Sequence, residues 1–236
     1  MISIIIPTLN EERYLPRLLE SITEQDYQGE IEIIVADNKS KDKTREIAKS
    51  FGCRIVDGGL PPKARNEGAK VANANFFLFL DADGFLPKDF ITKAMKEFLN
   101  RELGVAGFFC IPDDNAFIFR LVLGIYNFWL RSTEKFSGYG GNAIFIKRDI
   151  HEKINGFNES VKFAEDHLYV RTAREFGKCG VIKGTHSYMN MRRFKEQGVL
   201  KTSLKCIFAG LHLFIFGPIK KDIFKYKFDH YENLPR

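Results

Sequence analysis

The sequence is poor in cysteine. Its four, Cys53, Cys110, Cys179 and Cys206, are widely scattered with no CxxC pair. That spacing offers neither a paired-thiolate zinc site nor a disulfide framework, and the four read as reduced and mostly buried. The opening MISIIIPTLN lacks a basic stretch and has only a short apolar run, so it reads as a first strand and not as a secretory leader. Two apolar stretches, AFIFRLVLGIYNFWL at 116–130 and CIFAGLHLFIFGPI at 206–219, are shorter than the roughly 20 residues that span a bilayer. These absences predict a cytoplasmic chain, with a peripheral position on the inner face of the membrane as the extension of that reading. Acids are scarce near the end: residues 183–227 hold ten Lys and Arg against Glu196 and Asp222, in a chain whose net charge is +6. A basic segment of this kind suits nucleic acid, an anionic membrane or a phosphorylated small molecule.

What is present is an alternation. Apolar runs of strand length (Ile2 to Ile6, IEIIVAD at 31–37, CRIVD at 53–57, FFLFL at 76–80) are separated by stretches of helical period, such as Leu15, Leu18, Leu19 and Ile22. A helix opens at Pro61-Pro62, where missing N–H groups cost nothing. Strands so uniformly apolar, each followed by a helix, predict an α/β domain with a mostly parallel sheet covered on both faces. The 236 residues, 44% hydrophobic, suffice for one such domain plus a tail. We place the domain at 1–198 and an apolar, basic helical extension at 199–236.

Ligands of such sheets bind beyond the carboxyl ends of the strands. Those ends carry Pro7-Thr8-Leu9-Asn10-Glu11, Asp37-Asn38, Asp57-Gly58-Gly59 and Asp81-Ala82-Asp83. Two Asp one residue apart where a strand relaxes into a loop can face one cavity and hold Mg2+ or Mn2+ bridging a diphosphate. The following Gly84 permits close backbone approach. The same DxD also fits a helix cap and solvated turn, and a haloacid-dehalogenase-like phosphatase with Asp81 as nucleophile, although that motif normally ends a first strand and three strands come before it here. An EF-hand is excluded by Phe85, Leu86 and Thr92 at its later ligand positions. A non-catalytic nucleic-acid-binding protein would use the basic segment and leave the carboxylate rim unexplained.

The ordered set IIIPTLNEERYLPRLLESI, IIVADNKSKDKT, KARNEGAKVANANFFLFLDADGFLP, GGNAIFIKRDIHEKINGFNE and AEDHLYVRTAREFG resembles the nucleotide-diphospho-sugar glycosyltransferases of the GT-A fold, in particular the inverting family 2. The resemblance covers roughly residues 2–198. It implies a GT-A fold and a nucleotide-diphospho-sugar donor contacted by Pro7, Thr8, Asn10, Glu11, Asp37, Lys63, Arg65, Asn66 and Asp81. Asp83 with Asp81 would be the ligands of Mn2+ or Mg2+, with His186 as a candidate third. It implies Asp166 as the base that takes the acceptor proton, Glu165 as its partner, and Gly140, Gly141 and Asn142 beneath acceptor and sugar. Arg192 and Arg193 occupy the place of an arginine-bearing loop over the diphosphate, a task that suits the guanidinium fork. Taken alone, Glu165-Asp166 also reads as an acidic first helical turn favoured by the macrodipole. A Gln-x-x-Arg-Trp motif is missing, which argues against processive polymer synthesis. The apolar 206–219 stretch edged by Lys201, Lys205, Lys220 and Lys221 suits an anionic membrane boundary or a core helix, and in the first case the acceptor is lipid-linked glycan.

Overall fold

The computed structural model of the chain describes residues 1–134, 141–161 and 163–219. Gly140, Lys220 and Lys221 therefore lie outside the described residues. In chain order the elements are β1 (Ile2–Thr8), α1 (Leu15–Thr23), β2 (Ile31–Asp37), α2 (Thr44–Ser50), β3 (Arg54–Asp57), α3 (Pro61–Val71), β4 (Phe76–Leu80) and α4 (Phe90–Asn100). They continue with β5 (Val105–Pro112), α5 (Phe117–Thr133), β6 (Ala143–Lys147), α6 (Arg148–Lys153), α7 (Glu165–Ala173), β7 (Cys179–Met189), α8 (Arg192–Gln197) and α9 (Val199–Phe216).

The described strands form one sheet in the order β3-β2-β1-β4-β6-β5-β7. The first four are mutually parallel, whereas β6 runs antiparallel to both β4 and β5. β7 returns parallel to β5 at the far edge. The mostly parallel α/β sheet is thus as expected, with one reversed strand that apolar content alone cannot orient.

The uniform apolarity of β1 has its cause in two-sided burial. Ile2, Ile4 and Ile6 enter the core under α1, where Leu15, Leu18, Leu19 and Ile22 form the buried stripe, and under α4 through Phe90, Ile91, Ala94 and Phe98. Ile5 points the other way, into a second core with Ile34, Phe77 and Phe79 beneath α3, α6 and α7. Each fully buried Phe there contributes roughly 1.5–3 kcal/mol. The two cores fix the sheet from both sides, so the loops at the carboxyl ends of β1, β2 and β4 emerge side by side.

β7 is not a regular strand. Phe108 pairs with Ile182, yet the next residue, Phe109, pairs with His186, so Lys183, Gly184 and Thr185 are an irregular insertion. Glu97 of α4 accepts from the Lys183 and Gly184 N–H groups at 2.9 and 2.8 Å, which satisfies the bulged backbone. Beyond α9, Ile219 is buried and bridges Phe163. No described helix is long and apolar enough to cross a membrane.

Candidate active site

The loop after β1 is locked to the loop after β2. Thr8 Oγ1 donates to Asp37 Oδ1 at 3.1 Å, Asn10 N–H donates to Ser40 Oγ at 2.8 Å, and Asn10 Oδ1 accepts from Lys41 N–H at 2.8 Å. Asn10 adopts φ 53°, a left-handed conformation that asparagine tolerates better than most residues. These bonds turn the chain so that Glu11, at the head of α1, is buried against the rim.

Asp37 is fully buried, and its oxygens already accept from Thr8, Ser40 and Arg45. In this arrangement it organises the two loops. Pro7 and Thr8 are buried at the end of β1.

The centre of the rim is a bridged cluster of carboxylates. Arg65, on the inner face of α3, is 4% exposed. Its Nη2 donates to Asp81 Oδ1 at 2.8 Å and its Nη1 to Glu165 Oε1 at 2.9 Å. Arg192, from α8, reaches Glu11 Oε1 at 3.0 Å and Asp83 Oδ2 at 3.3 Å, with its guanidinium 4.7 Å from the Tyr14 ring centroid. Glu11, Asp81, Asp83, Glu165 and Asp166 are thereby gathered from distant parts of the chain around two arginines.

So many carboxylates in one cleft cost energy, and their acidities record it. Although 40% of the Asp81 side chain faces the open cleft, the surrounding protein mass raises its pKa to about 6. Arg65 opposes the rise, and the charges of Asp83 and Asp166 add to it. Glu11 is pushed up to about 7, chiefly by burial, against the pull of Arg192. Asp166 behaves differently. Burial raises it, yet His167 outweighs this and holds it below the ordinary carboxylate value, while His167 is raised in turn by Asp166.

Asp166 Oδ1 accepts from His167 N–H and contacts Nδ1 of the same ring, both at 2.8 Å. Its Oδ2 accepts no hydrogen bond from the described residues. Sequence reasoning missed His167, although its place directly after Glu165-Asp166 is the signal that could have found it. Ala164, just before α7, takes φ 58° and swings the two acids into the first turn.

Several expected members are placed elsewhere. Asn66 spends its amide on the turn before α7, donating to Phe157 O at 2.9 Å and accepting from Phe157 N–H at 2.8 Å. Lys63 is exposed in the first turn of α3. The charge of Arg193 acts on the Cys206 thiol of α9, as does that of Asp166. His186 does not join Asp81 and Asp83. The bulge in β7 sets its phase, its charged neighbours are Asp89 and Lys93, and its Nε2 is buried without a hydrogen-bond partner among the described residues. Among the described residues no group of three His, Cys, Asp or Glu could hold a metal ion.

On the other side of Asp81, Asn142 O accepts the Asp81 N–H at 3.0 Å, and its side chain joins Ser187 Oγ at 2.7 Å and Tyr188 O at 3.2 Å. Gly141 precedes it at φ 148°. A Cβ on Gly84 would stand 2.8 Å from Tyr188 O, so glycine there admits the approach of β7.

The family described as Glycosyl transferase family 2 matches residues 3–154. The Methanococcus voltae protein named dolichyl N-acetyl-alpha-D-glucosaminyl phosphate 3-beta-D-2,3-diacetamido-2,3-dideoxy-beta-D-glucuronosyltransferase is 36% identical over 92% of this chain and 78% of its own length. The Staphylococcus aureus poly(ribitol-phosphate) beta-N-acetylglucosaminyltransferase TarS is 34% identical over 39% of this chain, and the match spans only 18% of that larger protein. Among solved structures, the mannosyltransferase PcManGT from Pyrobaculum calidifontis, in complex with GDP-Man and Mn2+, superposes with TM-score 0.69 at 19% identity, covering 86% of this chain and 60% of that one. This last likeness bears on the fold, which is the GT-A fold.

Proposed function

Because the chain belongs to glycosyl transferase family 2, we propose that it moves a sugar with inversion from a nucleotide diphosphate to a hydroxyl of a lipid-linked glycan. The observation that carries this reading is the junction at Arg65, which ties Asp81 of the donor rim to Glu165 beside Asp166. Donor and acceptor chemistry are thereby held in one rigid frame, as in-line displacement requires.

In this reading the acceptor hydroxyl donates its proton to Asp166 Oδ2 as its oxygen attacks the anomeric carbon on the face opposite the departing diphosphate. His167 orients Asp166 through Oδ1, and Glu165, held by Arg65, lines the acceptor side with Gly141 and Asn142. Glu11, Asn10 and Thr8 border the nucleotide. Two hard carboxylates fit a divalent cation whose other ligands are phosphate oxygens and water, without a third protein ligand. Asp83 and Asp81 would hold Mn2+ or Mg2+, which supplies charge neutralisation for the leaving diphosphate. Arg192 now neutralises Glu11 and Asp83, and when the donor arrives its planar fork can turn to the phosphates.

The acceptor class is supported by the name of the Methanococcus voltae relative, which acts on a dolichyl-linked N-acetylglucosaminyl phosphate. Residues 1–198 form the catalytic unit of this proposal and 199–236 an interfacial extension on the cytoplasmic side of an anionic membrane. Lys201 and the exposed Leu200, Leu204, Ile207 and Phe208 of α9 supply its basic and apolar components. The phosphatase and nucleic-acid readings lose their support with the family assignment. Replacement of Asp166 by Asn tests the assignment: transfer is lost while donor binding stays, and retained turnover places the base elsewhere.

A further inference from the structure

Behind Asn142 lies a second cavity, of about 400 Å³, between the end of β5 and α5. Cys110 forms part of its wall, and the Cys110 thiol donates to Asn142 Oδ1 at 3.2 Å, one residue removed from Asp81. Its polar lining includes Asn115, Arg120, Asn127 and Tyr188. Arg120 is exposed, and its bond among the described residues is to the neutral Asn115 Oδ1, at 2.6 Å. It is therefore a guanidinium at a cavity mouth with no carboxylate among the described residues to neutralise it.

The same helix leads away from that mouth as an apolar track. Phe117, Leu121, Ile125 and Phe128 follow one another at helical spacing and are 78, 45, 62 and 72% exposed. From Ala116 to Thr133 there is no acidic residue. Positive charge and apolar surface thus meet at one place, with Gly124 between them. Gly124 lines the cavity, and a Cβ there would meet nothing within 4 Å. A helix-interior glycine with open space above it costs helix stability without any backbone or packing need.

We propose that this cavity and the face of α5 hold the lipid end of the acceptor, an isoprenoid carrying phosphate or diphosphate. Arg120 takes the phosphate at the cavity mouth, Gly124 leaves room for the first isoprene units, and the tail runs along Phe117, Leu121, Ile125 and Phe128. The inference rests on the lipid-linked acceptor reading above and adds the site that selects it. It also orients the enzyme, since a tail lying on α5 places that helix toward the bilayer in which the rest of the isoprenoid is embedded.

The test uses the full chain and geranylgeranyl phosphate, kept below its aggregation threshold. Trp129, the single tryptophan, stands on α5 and reports occupancy by its fluorescence. A saturable response is expected. Inorganic phosphate, which loses the burial of the apolar tail, and geranylgeraniol, which loses the charge-assisted contact, should each bind about tenfold more weakly or worse. Arg120→Gln should weaken the phosphate ester by about tenfold without altering the response to the alcohol. Gly124→Phe should abolish the response, with thermal midpoint and nucleoside-diphosphate affinity retained in both variants. Equal binding of phosphate and alcohol, or wild-type affinity in both variants, overturns the site. So does an Arg120-dependent response to phosphatidylglycerol vesicles with none to geranylgeranyl phosphate, which would assign the face to bulk headgroups. Wild-type transfer to an isoprenoid-phosphate-linked saccharide with unchanged KM in both variants overturns the site and leaves the acceptor reading standing. Arg120-dependent binding without any such transfer overturns the acceptor reading alone.

Discussion

Arg65 Nη2 meets Asp81 Oδ1 at 2.8 Å from a side chain only 5% exposed. A guanidinium so deeply buried is sustained by the two carboxylates it serves, Asp81 and Glu165, and they in turn depend on it. Replacing Arg65 by Ala strands two carboxylates in a crowded cleft. The expected loss is about 3 kcal/mol of folding stability, read by chemical denaturation, together with a further rise of the Asp81 pKa.

The raised acidities set a pH dependence for donor binding. Asp81, near 6, and Glu11, near 7, are largely protonated at pH 5. A cation needs the charged carboxylate, so the affinity for nucleoside diphosphate with Mn2+ should rise between pH 5 and pH 7.5, with release of protons. Their effect on folding has the opposite sign. A folded pKa above the unfolded one favours the native state at low pH, and that contribution is lost as pH climbs from about 4 through 6 to 7. Titration calorimetry in buffers of different ionisation enthalpy checks the first effect and melting curves the second.

Asp166 and His167 form a coupled pair in which the imidazolium keeps the carboxyl acidity strong. Removing that charge with His167→Gln should move the acid limb of the kcat profile to higher pH, because Asp166 then titrates higher. The donor KM should hold. A purely structural role for His167 would lower activity evenly at every pH and leave the limb in place.

Gly84 carries a steric prediction. A methyl group there would stand 2.8 Å from Tyr188 O, so Gly84→Ala must displace the Asp81–Gly84 turn from β7. A loss of about 1–3 kcal/mol in thermal unfolding, with weaker metal-dependent donor binding, is expected.

Much of this architecture is legible in the sequence, and the exceptions share a cause. β2 and β4 appear at their observed bounds because both are apolar runs with clear ends, at Ile31–Asp37 and Phe76–Leu80. β5 is an apolar run interrupted by a glycine, and β7 gives no comparable strand signal. The first carries Gly107, and the second holds Gly180, Lys183, Gly184 and Thr185, so neither shows a clean period. The insertion at 183–185 is what removes His186 from the carboxylates, since a strand bulge resets which face each later side chain occupies. The carboxylates themselves are visible at strand ends. Their bridging arginines are visible only as residue types, because a contact between Arg65 and Glu165 spans 100 residues and depends on how α3 and α7 meet. Asn66 shows the same limit from the other side. It neighbours Arg65 in sequence, but the helical turn aims it at Phe157.

Asp83 offers the most direct test of the donor site. The thermal midpoints of the wild type and Asp83→Ala can be compared with UDP, GDP, CDP and dTDP, each with and without Mn2+, because a ligand of the native state raises the midpoint by mass action. One nucleotide is expected to raise the wild-type midpoint only when the metal is present, and Asp83→Ala to abolish the rise. No rise with any nucleotide, or an equal rise in the variant, would contradict a metal-dependent donor site at Asp83.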